Sequence, residues 1–103
     1  EEIVLLTIAL LYDDAYSVGV MEELSNRLER PMRLGAVHRT MQRLEEKELV
    51  QSRFGESTAE RGGRRKRLFT VTTAGEQALQ EARKIRNDLW ADIPKAAFGG
   101  SLA

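Results

Sequence analysis

The stretch from Leu34 to Thr72 constrains the fold more than any other part of the chain. It opens with LGAVHRTMQRLEEKELV, passes through QSRFGESTAERGG and closes with RRKRLFTVT. Leu34, Val37, Met41 and Leu44 recur at intervals of three and four, which draws one apolar stripe along a helix. Leu49, Gln51 and Arg53 then alternate with Val50, Ser52 and Phe54, a strand pattern in which Val50 and Phe54 are expected to point inward. A polar, glycine-bearing and strongly basic loop follows. In the second strand Arg65, Arg67 and Phe69 should face one way and Lys66, Leu68 and Thr70 the other. Helix, strand, basic loop and strand is the order of a winged helix-turn-helix, which presents a helix to the DNA major groove and a hairpin tip to the flanking backbone.

The back of that helix carries Ala36, Arg39, Gln42 and Arg43. Arginine and glutamine have the donors and acceptors that match guanine and adenine edges. Any amphipathic surface helix has a polar back, so the helix alone favours the bland reading. The hairpin shifts the balance. Arg61, Arg64, Arg65, Lys66 and Arg67 crowd around Gly62 and Gly63. Five neighbouring cations repel one another, and a phosphate backbone relieves that repulsion. Charges also guard exposed strand edges, but a cluster of one sign on a hairpin tip exceeds what edge protection needs. Arg39, Gln42 and Arg43 are therefore the expected base readers, and Arg64, Arg65 and Lys66 the expected backbone or groove contacts.

Across nearly all of residues 3–90 the chain resembles the PadR family of bacterial transcriptional regulators, in its short form with a single C-terminal dimerisation helix. In LGAVHRTMQRLEEKELV the likeness rests on Gly35, Val37, Met41, Arg43, Leu44, Glu45, Leu49 and Val50. In LFTVTTAGEQAL it rests on Phe69, Thr72, Gly75 and Leu79. His38 stands where the family usually has Tyr, Arg39 where it has Pro, and Glu48 where it has Gly; Ser17 and Val18 replace the usual Gly-Tyr. The resemblance implies a cytoplasmic, bacterial regulator whose last helix makes a dimer. It makes Thr72 the cap of that helix and His38 a phosphate contact on the flank of the recognition helix. Some relatives bind aromatic or drug-like compounds between subunits, which makes Trp90 a candidate contact for a planar aromatic effector.

The 103 residues suffice for one small domain, and a small core favours an oligomer that shares apolar surface. Lys plus Arg and Asp plus Glu both number 16, so the argument for DNA rests on local clustering and not on net charge. With no cysteine and His38 as the one histidine, thiolate or histidine metal sites are disfavoured; neither metal nor cofactor is expected. The absence of cysteine also fits a reducing compartment. IVLLTIALLY is about half a membrane span, and no signal-peptide pattern surrounds it, so no membrane partner is expected. No phosphate-binding glycine loop or catalytic constellation stands out, and an enzyme is not expected.

From the start, Ile3, Leu6 and Leu10 together with Leu5 and Ala9 make the first helix greasy on more than one side, so it should be buried on more than one side. Ser17 is the expected N-cap of VGVMEELSNRLE, which Pro31 stops. Gly19 within it lowers helix propensity and leaves room for a neighbouring helix. In the last helix Thr73 and Glu76 form a capping-box pattern that competes with Thr72 for the start. It should run to about Ile93, some 30 Å at 1.5 Å per residue. Its stripe of Ala78, Ala82, Ile85, Leu89 and Ala96, widened by Leu79, Trp90 and Ile93, is too long for the small domain to cover. Ile3, Leu6, Leu10, Ala82, Ile85, Leu89, Trp90 and Ile93 are the expected dimer contacts. The expected organisation is a DNA-binding unit over residues 1–72, a dimerisation helix over 73–98 and a flexible tail over 99–103. The class is mainly α with a small β-hairpin. The expected function is a homodimeric, sequence-specific transcriptional regulator, a repressor, acting on double-stranded DNA at an inverted-repeat operator. The alternatives are a protein-interaction module on the same scaffold and a non-specific architectural DNA binder.

Overall fold

In α1 (Glu2–Leu11) the side chains of Val4, Leu5 and Ile8 point into the core while Ile3, Leu6 and Leu10 stay exposed on the other side. The computed structural model describes residues 1–55 and 65–102. Thr7, also buried in α1, donates its hydroxyl to the Ile3 carbonyl at 2.7 Å, so it adds no unsatisfied polar atom. Its partners in the core are Ala15, Val20 and Leu24 of the next segment, Val37, Met41 and Leu44 of the recognition helix, and Val50 and Phe69 of the hairpin. Each large side chain taken out of water this way contributes about 1.5–3 kcal/mol.

A 3₁₀ turn over Tyr12–Asp14 leads to α2 (Ser17–Leu28). The expected cap moves by one residue. Tyr16 holds the cap position with an extended backbone and no side-chain cap, and Ser17 is the first helical residue. The hydroxyl of Ser17 has another partner, described below. Gly19 leaves room for the Tyr16 ring, not for a neighbouring helix: an added Cβ would lie 3.1 Å from the ring's Cε1. α2 ends at Leu28, where Glu29 turns left-handed and donates its N–H to Ser25. The Ser25 hydroxyl accepts from the Met32 amide at 3.0 Å and so fixes the link to α3 (Leu34–Glu46).

The stop of α3 is specific. The Leu49 amide reaches the Leu44 carbonyl at 2.9 Å and the Glu48 amide reaches Glu45 at 2.9 Å, with Glu48 at φ 61 between them. These two bonds satisfy helix-end carbonyls and require a left-handed residue, the place glycine usually takes. They turn the chain directly into β1 (Val50–Phe54), which pairs antiparallel with β2 (Arg67–Val71) so that Val50 faces Val71, Ser52 faces Phe69 and Phe54 faces Arg67. The Phe69 amide also donates to the Ala15 carbonyl at 2.7 Å, which ties the hairpin to the start of α2.

Phe54 departs from its expected inward position. It shares a face with Val50, but it is 64% exposed, because that face runs past the edge of the helical core as the hairpin leaves the body. Burial along β1 accordingly falls from Val50 through Ser52 to Phe54.

α4 (Thr73–Asp92) begins at a cap that sequence left between two threonines. Thr72 is the cap: its hydroxyl accepts from the Gly75 amide at 3.1 Å and donates to the Glu48 carbonyl at 2.7 Å. Gly75 seats the helix on the α3–β1 corner, since a Cβ there would fall 2.2 Å from the Leu49 carbonyl oxygen. The helix stops at Asp92, with Ile93, the expected end, as its C-cap. Ile93, preceding Pro94, is extended, as the residue before a proline tends to be. Lys95–Leu102 continues as 3₁₀ turns broken at Phe98 and Gly99. Past Gly75 no residue of α4 is fully buried, and the molecule is 61 Å long. Its Cα radius of gyration is 17.4 Å, against about 13 Å for a compact chain of this length.

Candidate nucleic-acid interface

α3 is docked through Val37, Met41 and Leu44, all buried, and that docking turns the opposite side outward. Arg39 and Gln42 stand exposed on it, and Ala36 is half-buried near its start. Arg43 is exposed as well, but it leans toward α1. Its guanidinium donates to Glu1 at 3.4 Å and to the Thr40 hydroxyl at 3.1 Å. Lys47 reaches the same Glu1 carboxylate at 2.7 Å. The hydrogen bond from Lys47, reinforced by that ammonium's charge and by Arg43, holds the Glu1 carboxyl below its ordinary range. Both cations are largely exposed, so these pairs contribute little to stability.

His38 is half-buried on the flank of α3. Its Nδ1 lies 3.0 Å from the Ser17 hydroxyl, across 21 residues of sequence. The neighbouring Tyr16 takes up the base of the wing: the Lys66 ammonium sits 4.1 Å above the centre of its ring, a cation–π contact. Ser17 therefore touches the recognition helix, and Tyr16 the residue that leads into the second strand.

The basic cluster of the hairpin divides. Arg61 and Arg64 lie outside the described residues, as do Gly62 and Gly63. Arg65 is exposed at the entrance to β2. Arg67 is turned under the hairpin, on the face that carries Phe69. Its Nη2 donates to Glu45 at 2.5 Å and its Nε to the Ser52 hydroxyl at 3.0 Å, while that hydroxyl donates to the other Glu45 oxygen at 2.5 Å. This closed triad links α3 to both strands and occupies two of the donors sequence reasoning offered to phosphate. It also places Glu45 of the acidic helix end against a cation within the protein.

Two exposed cations were not singled out from sequence. Arg33 occupies the cap position of α3, and Arg53 stands on the outer face of β1 opposite Leu68. The RPMR link and the strand alternation were the available signals, but neither fixes a side chain relative to α3.

Of the expected dimer contacts, Ile3, Leu6, Leu10, Ile85, Leu89 and Trp90 are exposed, and Ala82 and Ile93 are half-buried. Ile3, Leu6 and Leu10 line a groove of about 390 Å³ with Leu24 and Leu28 of α2. Trp90 is 63% exposed and its ring centre lies 6.1 Å from that of Phe98, tilted by 41°. Among the described residues no group of three histidines, cysteines or carboxylates could hold a metal ion, and no helix is long and apolar enough to cross a membrane.

Residues 5–81 match the family model described as the transcriptional regulator PadR-like family. No curated protein matches the chain. Among solved structures, the chain is similar to a PadR family transcriptional regulator from Eggerthella lenta DSM 2243, with 20% identity, a TM-score of 0.69 and coverage of 85% of this chain and 74% of that one. A PadR family transcription regulator from Clostridium difficile R20291 is 22% identical, with a TM-score of 0.68 over 87% of this chain and 90% of that one. A PadR-like transcription factor from Bacteroides fragilis gives 20% identity and a TM-score of 0.67 over 84% and 81%. At these identities the likeness shows a common fold.

Proposed function

The chain belongs to the PadR-like family of transcriptional regulators, and on that premise we propose that it grips an inverted-repeat operator as a homodimer, with α3 of each copy in a major groove and the wing base on flanking phosphates. Members of the family are DNA-binding regulators and not enzymes, and are generally repressors that act as dimers. The observation that carries the proposal is the docking of α3. Its buried stripe of Val37, Met41 and Leu44 commits Arg39 and Gln42 to the outer face. Those two, with Arg43 once it leaves Glu1, are the proposed base readers. His38, Arg65, Lys66 and Arg33 are proposed to meet the backbone.

Residues 1–72 are proposed as the DNA-binding unit and α4 as the seam between copies. The support for the seam is apolar surface on α1 and α4 that the chain itself leaves uncovered. At the seam, Trp90 beside Phe98 is proposed to receive a planar aromatic effector whose binding changes the angle between the two long helices. Recognition helices must meet grooves about 34 Å apart, so a modest rotation would lower operator affinity. Titration with planar aromatic compounds, following tryptophan fluorescence and DNA affinity together, tests that part. Quenching with weakened binding supports a switch, and no response removes it.

Selection of bound fragments from a genomic library, followed by footprinting, tests the main proposal. Protection of an inverted repeat is expected. Salt-sensitive binding without sequence preference would point to an architectural binder, and absence of binding to an interaction module.

A further inference from the structure

We infer that Ser17 is a positioning residue for DNA binding, which sets the imidazole of His38 so that its Nε2 carries the proton offered to a backbone phosphate. The inference rests on the proposed phosphate contact of His38 and deepens it. Ser17 and His38 sit on different helices, and their one described hydrogen bond joins the hydroxyl to Nδ1 at 3.0 Å. Nε2 has no hydrogen-bond partner among the described residues, and no buried side-chain nitrogen or oxygen lacks one, so Nε2 opens to solvent. A neutral imidazole has one donor and one acceptor nitrogen. When the hydroxyl donates to Nδ1, the proton must reside on Nε2, and the ring presents a donor outward. The opposite tautomer would present a bare lone pair, which a phosphate oxygen cannot use. A hydroxyl can also turn and accept, so Ser17 stays a partner if the ring gains a second proton.

The surroundings favour an anion at that point. Tyr16, adjacent to Ser17, holds the Lys66 ammonium on its ring, and Arg39 follows His38 on α3. Ser17 is free for this task because it does not cap its own helix. Both positions depart from the family pattern given above, and the two departures meet each other in space.

The test uses the full chain and a mixed-sequence DNA duplex, since a phosphate contact acts on every sequence. Imidazole nitrogen shifts of His38 report the tautomer, and binding is measured against salt concentration. In the wild type the proton should be found on Nε2. Ser17→Ala should shift the population toward the other tautomer and weaken duplex binding by about three- to tenfold, the worth of one hydrogen bond, at unchanged melting temperature. Ser17→Thr should restore both readings. His38→Ala should weaken binding at least as much, with no further loss when Ser17→Ala is added, as expected of residues acting as one unit. An unchanged tautomer or unchanged affinity in Ser17→Ala, with His38→Ala still weakened, would overturn the role of Ser17 and leave the His38 contact standing. Wild-type affinity in His38→Ala would overturn the contact and the inference together.

Discussion

At Glu48 the backbone passes through φ 61 to end α3, and the side chain placed there gains nothing from the position: its carboxylate makes no hydrogen bond among the described residues. A left-handed backbone costs a residue with a Cβ about 1–2 kcal/mol. Glu48→Gly should therefore raise stability by about 1 kcal/mol, after the greater unfolded-state freedom of glycine is subtracted. A urea midpoint at or below that of the wild type would show that the strain is absent. The opposite behaviour is expected at Gly75. A Cβ there would meet the Leu49 carbonyl oxygen at 2.2 Å and Val71 Cγ1 at 2.8 Å, and neither backbone nor strand can yield cheaply. Gly75→Ala should cost about 3 kcal/mol or more, read as a lower midpoint and as loss of the α4 start in amide exchange. Near-wild-type stability would mean that α4 does not sit on the α3–β1 corner.

The hairpin carries one arginine held in a structural network and one proposed for phosphate contact. Arg67 opens β2 and spends its donors on Glu45 and Ser52, whereas Arg65 stays exposed two residues earlier. Period-two alternation expects both on one face, and Arg67 does share the face of Phe69. What it could not supply was that the Glu45 carboxylate and the Ser52 hydroxyl lie within reach of Arg67. Arg67→Ala should lower stability by about 1 kcal/mol, the scale of a half-exposed ion pair with a hydrogen bond, and leave the salt slope of DNA binding unchanged. Arg65→Ala should leave stability unchanged and reduce that slope by about one. Salt titrations and urea unfolding of both variants check this. A reduced slope for Arg67→Ala would return it to the phosphate-binding group.

For the whole molecule the governing fact is the projection of α4. A chain 61 Å long whose last helix buries only Gly75 leaves Ile85, Leu89 and Trp90 in water, and Ile3, Leu6 and Leu10 of α1 are exposed as well. Exposed apolar surface on this scale marks an interaction site. Leu89, 64% exposed in the single chain, tolerates a charge there but not at a dry seam. Leu89→Asp should sediment as a monomer while its helical signal from residues 1–72 persists. A wild type that is already monomeric at micromolar concentration would remove the proposed seam, and with it the spacing argument for an inverted repeat.

The elements and their order were determined by the sequence itself, because the signals are local and periodic. The stripe Val37–Met41–Leu44 fixes which side of α3 is buried. A threonine at 72 or 73 starts α4, and Pro94 ends it. The side-chain partnerships were decided only by the tertiary structure. Ser17 meets His38 across 21 residues, Arg67 meets Glu45 across 22, and Lys47 meets Glu1 across 46. Phe54 and Val50 share a strand face but not a fate, since one lies over the helices and the other beyond them. Periodicity tells a residue which way to face. Whether a core, a counter-charge or open water lies in that direction depends on how separate helices dock, and no single segment carries that information.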